Sequence, residues 1–131
     1  MKVFHYINFF MIFLILISIC IVEDCLVTNS LADIKNRCYY IEELIEEKNG
    51  IKNNEIVSAV ENLEDKWNMY EKNVCYLVNH KLIQDLGVEV YKLKSHMYNN
   101  QIDEFKTALQ SIKFYCHSYM LFAGGSIKNV L

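Results

Sequence analysis

The sequence predicts an all-α protein: one amino-terminal transmembrane helix running into an antiparallel helical bundle, or a long helical hairpin, of about four helices. Three observations carry that reading. Residues 3–22 form an almost unbroken apolar run without a charge. The chain contains no proline, the residue that most reliably breaks helices. Each later segment repeats apolar residues at alternating spacings of four and three, the signature of one helix face.

The apolar run comes first. Phe9 to Ile17 is apolar throughout, and His5 and Asn8 are the main polar interruptions. About 20 helical residues rise roughly 30 Å, the thickness of a bilayer's hydrocarbon core. The competing reading is a cleaved signal peptide, which wants a more basic start and small residues before the cut. Here Glu23 and Asp24 follow Val22 directly, and only Lys2 precedes the run. A lipoprotein site at Cys20 or Cys25 is poor, because Ile19 or Asp24 stands before it. The expected organisation is an uncleaved anchor over 1–22 and a helical domain over 23–131. The positive-inside bias, through Lys2, puts that domain outside the cytoplasm of a single-pass cell-membrane protein.

After the anchor, Val27, Leu31, Ile34, Cys38, Ile41 and Ile45 mark one face of the first helix. The acidic group Glu42, Glu43, Glu46 and Glu47 reads as solvated surface. Nothing separates this stretch from the anchor, so one long helix is expected. Asn49-Gly50 ends it, glycine being the usual residue for a left-handed turn. Asn53 or Asn54 can cap a second helix with the face Ile56, Val60, Leu63, Trp67, Tyr70, Val74 and Leu77. Trp67 is expected to be the core anchor of the domain. Asn79-His80 interrupts.

A third, shorter helix shows Ile83, Leu86, Val90, Leu93 and Met97, with Gly87 inside it at a cost of about 1 kcal/mol relative to alanine. Asn99-Asn100 ends it, and Asn100 with Asp103 resembles a capping box for the fourth helix. That helix presents Ile102, Phe105, Leu109, Ile112, Cys116 and Tyr119. Gly124-Gly125 is expected to break the chain and leave Ser126–Leu131 as a short tail. Four amphipathic helices on short connections imply antiparallel neighbours.

Glu61-Asn62-Leu63-Glu64-Asp65-Lys66-Trp67 with Tyr70-Glu71, His80 at a helix break, Leu109-Gln110-Ser111-Ile112-Lys113-Phe114, His117, and the closing Ser126-Ile127-Lys128-Asn129-Val130-Leu131 form an ordered set. In that order and spacing the chain resembles the bacterial domain-of-unknown-function family 4363. The resemblance covers nearly the whole chain, the single amino-terminal span included. It implies a short, anchored, all-helical protein and lends no enzymatic activity.

Chemistry-bearing residues are few. A net charge of -3 offers no basic surface for nucleic acid. There is no phosphate-binding loop and no Ser-His-Asp order, so neither catalytic residues nor a cofactor is expected, and the protein is not read as an enzyme. Folding the helices back by length puts Cys25, Cys75, His80, Cys116 and His117 at the membrane-proximal end. Those residue types can ligate zinc, but no tight spacing motif joins them and a metal site is not expected. The same folding leaves a Cys75–Cys116 disulfide open.

One surface stands out. Phe114, Leu121 and Phe122 lie away from the core face of the fourth helix, in its later half. The tail, through Ile127, Val130 and Leu131, folds over this patch, or the patch meets lipid headgroups, a membrane protein or a second copy. The expected role is therefore an interaction or structural module at a bilayer. The alternative is a thiol- or metal-dependent binding or sensing module.

Overall fold

A computed structural model describes residues 1–76, 78 and 80–128, with the side chains of residues 2 and 122–128 outside the description. Four helices follow one another: α1 (Lys2–Lys48), α2 (Asn54–Val74), α3 (His80–Tyr98) and α4 (Ile102–Lys128). Among the described residues there is no strand. Each connection reverses the chain, and α4 packs back against α1 to close an up-and-down four-helix ring. The bundle, rather than the extended hairpin, is the architecture.

The predicted stripes are the core. Val27, Leu31, Ile34, Cys38, Ile41 and Ile45 of α1 meet Ile56, Val60, Leu63 and Trp67 of α2, Leu86, Val90 and Leu93 of α3, and Phe105, Leu109, Ile112 and Cys116 of α4. Trp67 is fully buried. Its indole explains Gly87: a Cβ there would stand 3.2 Å from Trp67 Nε1. The glycine's absent side chain lets the ring edge lie on the α3 backbone. The same Nε1 is buried without a hydrogen-bond partner.

The helix ends follow local chemistry, sometimes not as expected. Asn49, not Gly50, takes the left-handed conformation after α1, at φ 53° and ψ 38°. Asparagine tolerates that region better than other side-chain-bearing residues. Asn53 caps α2, its Oδ1 accepting from the Glu55 N–H at 2.8 Å. No capping box forms at Asn100, because that residue is itself left-handed at φ 57°. The Gln101 N–H donates to the His96 carbonyl (2.9 Å) and the Asn100 N–H to that of Met97 (3.2 Å), the paired bonds of a Schellman ending.

Three further expectations are corrected. The helix continues through Gly124-Gly125 to Lys128, since a single pair of glycines lowers helix propensity without removing a backbone donor. Ile102 opens α4 at 38 % exposure and is not core. Glu42 is not simply solvated: its carboxylate accepts from Lys113 Nζ at 2.6 Å and Gln110 Nε2 at 2.8 Å. Leu77, Asn79, Val130 and Leu131 lie outside the described residues.

α1 has two environments in one uninterrupted helix. From residue 27 upward it contributes a buried stripe, whereas every described side chain from Val3 to Val22 is exposed. By length and composition, it is the one described helix apolar enough to cross a membrane.

Candidate functional site

The later half of α4 holds the candidate site. Phe105, Leu109, Ile112 and Cys116 recur at helical spacing and are fully buried against α1 and α3. Phe114 and Leu121, seven residues apart, stand on one outward strip, because seven residues complete nearly two turns. They are 66 % and 62 % exposed. The Phe114 ring meets Tyr115 edge to face at 6.0 Å, which steadies it without covering it. Because α4 continues to Lys128, Ile127 belongs to the same helix; its side chain, together with Val130 and Leu131, lies outside the described residues. The Phe122 side chain is outside the described residues.

Cross-helix pairs set the height of this strip. Glu42 binds Lys113, and Lys35 Nζ lies 3.5 Å from His117 Nδ1. Lys113 Nζ also sits 4.7 Å from the centroid of the Tyr39 ring, a cation–π contact in the same seam. Carried along the antiparallel helices, these pairings set Leu121 opposite residues 31–34 of α1 and Phe114 opposite 38–41. At about 1.5 Å per residue, the strip lies roughly 14–28 Å beyond Val22. It is too far from the apolar run to share its surroundings.

The thiols and imidazoles divide by height. Arg37 donates to Asn62 Oδ1, and the Tyr70 hydroxyl donates to Asp33 Oδ2 at 2.6 Å. These α1–α2 pairings put Cys75 opposite residues 24–28, near Cys25 and the exposed His80. Cys116 and His117 stand opposite 35–39, at least about 10 Å higher. The expected convergence at one end therefore fails for α4, and with it the Cys75–Cys116 bond: all five cysteines are free. Among the described residues no group of three or more His, Cys, Asp and Glu is placed to hold a metal ion.

Cys116 instead stands at the level of Cys38, both fully buried in the α1–α4 seam. Burial pushes the Cys116 thiol up to about 12. Burial, then the neighbouring Cys116, raises Cys38 as well. Both remain protonated thiols at neutral pH, packed as small apolar groups and poor nucleophiles.

Sequence reasoning missed the polar network on the α1–α2 seam. Arg37 Nε is 3.1 Å from Asp33 Oδ2, which also receives the Tyr70 bond. Burial alone would raise the Asp33 carboxyl, but Tyr70, Arg37 and Lys66 hold it below its usual 3.8. The i,i+4 spacing of Asp33 and Arg37 was a visible signal; the partners on α2 require the register. Above this network an open groove of about 440 Å³ runs past Arg37, Tyr40, Ser58 and Asn62. The Arg37 guanidinium is already engaged by Asp33 and Asn62, and the other charged side chain lining the groove, Glu55, pairs with Lys48 at 3.3 Å.

No curated protein and no solved structure matches the chain. A family model described as "Domain of unknown function (DUF4363)" matches residues 25–129. The match begins after the apolar run, so the amino-terminal span lies outside it, unlike the expected resemblance. It takes in the acidic Trp67 segment of α2, the turn before His80 and the whole buried face of α4, the elements that build the bundle. On that ground the chain belongs to the family Domain of unknown function (DUF4363).

Proposed function

We propose that this protein is a membrane-anchored helical module, held at the extracytoplasmic face, that binds a protein neighbour or a second copy of itself through the outer strip of α4. It performs no chemistry of its own. The observation that carries the reading is the exposure of Phe114 and Leu121 at 66 % and 62 %, on a helix whose opposite face is fully buried. Apolar pairs left outward at this spacing suit a partner helix or groove. Their distance from Val22 favours a protein surface over lipid.

The anchoring part rests on the exposed apolar run and on Lys2 as the only charge before it. A thiol- or metal-dependent sensor has less support, since its candidate ligands stand at different heights. The test is a Phe114→Ser, Leu121→Ser double variant, crosslinked in intact membranes. It should melt with the parent and lose the parent's crosslinked species. Retention of the same species, or global unfolding, would overturn the assignment of this strip.

A further inference from the structure

We infer that the α2–α3 turn is a second membrane contact, with the Tyr76 ring seated in the headgroup layer of the bilayer that α1 enters. This rests on the anchoring read above. Tyr76 is 87 % exposed, far more than the other tyrosines of the bundle that the core leaves outward. It lies two residues past α2, whose last residue, Val74, is buried. The pairings Arg37–Asn62 and Asp33–Tyr70 carry the turn down to residues 23–27 of α1. Val27 and Val74, each only 1 % exposed, agree with that level.

Two lengths then coincide with bilayer dimensions. The turn stands within about 8 Å of Val22 along the helix axis, which is the depth of the polar layer rather than open water. Tyr6, near the other end of the apolar run, is 73 % exposed. From Tyr6 to the level of Tyr76 is about 26–32 Å of helix, against roughly 30 Å of hydrocarbon. Tyrosine favours both edges of that slab, its ring in the acyl boundary and its hydroxyl in water. Leu26, 47 % exposed at the same height, extends the apolar surface of the run up to the turn.

The charges around the turn say which lipid is needed. Glu23, Asp24 and Glu71 stand against Lys72 and Lys81, so no positive rim forms. The ring carries the contact, and zwitterionic lipid is enough. Seated this way, the base of the bundle is held at two points, α1 and the turn, which fixes its tilt.

The full chain, reconstituted in phosphatidylcholine vesicles, tests this through Tyr76→Trp. Trp67, fully buried, supplies a background that lipid does not quench. The added tryptophan should emit to the blue of a water-exposed indole. It should lose most of its emission to lipid brominated near the glycerol end of the chain, and little to lipid brominated near the chain terminus. Red, unquenched emission from protein that floats with the vesicles would overturn the inference and leave the anchor standing, as would quenching chiefly by the deep label. Failure to float after carbonate extraction would overturn the anchor and the inference together.

Discussion

The two halves of α1 share one backbone and differ in everything around it. In the upper half, apolar residues recur every three or four positions, and those positions are buried: Leu31, Ile34, Cys38 and Ile41 are at most 1 % exposed. In the lower half they occupy every side, and Leu14, Ile15, Leu16 and Phe13 are all more than 40 % exposed. Burying one such side chain contributes about 1.5–3 kcal/mol. The upper half realises that within the chain, whereas the lower half leaves more than a dozen such side chains without a protein partner. Periodicity therefore identifies the environment: a striped helix brings its own solvent, and an unstriped one depends on an external one.

Charges placed in the lower half should break that dependence. Leu14→Arg with Ile17→Arg puts two cations at the centre of the run, each costing about 2.5–3.5 kcal/mol in a bilayer. Membrane fractionation should show the protein leaving the carbonate-resistant pellet while Trp67 emission stays that of a buried indole. A shifted Trp67 spectrum would mean that the two halves are not independent.

The upper half is best probed at Trp67. Trp67→Ala should cost about 3–5 kcal/mol in a domain of about 5–15 kcal/mol, read as a large drop in melting temperature. Gly87→Ala sharpens the point. Its helix propensity gain of about 1 kcal/mol is opposed by a methyl at 3.2 Å from a ring that has nowhere to go, so net loss is expected. In a Trp67→Phe background, which removes the offending nitrogen, the same change should stabilise. Additivity across that double-mutant cycle would deny the contact.

The smallest effect concerns the seam that joins α1 to α2. The folded Asp33 carboxyl titrates below its usual 3.8, so its contribution is fully present above that value and is lost as pH falls through the lower folded one. Asp33→Asn should therefore lower stability at neutral pH and flatten the acid limb of the stability curve below about pH 4. Equal loss at all pH values would assign Asp33 a role other than this carboxylate's charge.

How much of this was legible in the residues depends on range. The core stripes from Val27 to Cys116 follow from spacing within single helices, and each was readable. Trp67 as the core anchor was too, but its seat on Gly87 was not, because a glycine that costs helix propensity gives no hint of which ring needs the space. Asn49 and Asn100 took the left-handed positions that a neighbouring glycine or a capping role had claimed, which shows how close such local competitions run. Gly124-Gly125 looked like a stop and was not. The site divides similarly. The outward setting of Phe114 and Leu121 is a within-helix fact, whereas the level of Cys38 with Cys116, and the separation of Cys75 from Cys116, depend on stagger between helices. That stagger is set by pairs such as Glu42–Lys113, which no spacing within a helix foretells.

The missing break between Val22 and Val27 has a mechanical consequence. α1 is 47 residues long, about 70 Å, without proline or an internal glycine. A rod with no joint transmits torque along its length. Turning the lower segment about its axis by one residue's worth of helix, about 100°, would point Ile34 and Ile41 out of the core, so a well-packed bundle resists that rotation. Any twist or vertical stroke imposed on the first 22 residues is thus carried by unbroken helix into the packed stripe from Val27 to Ile45, and the bundle core opposes it there.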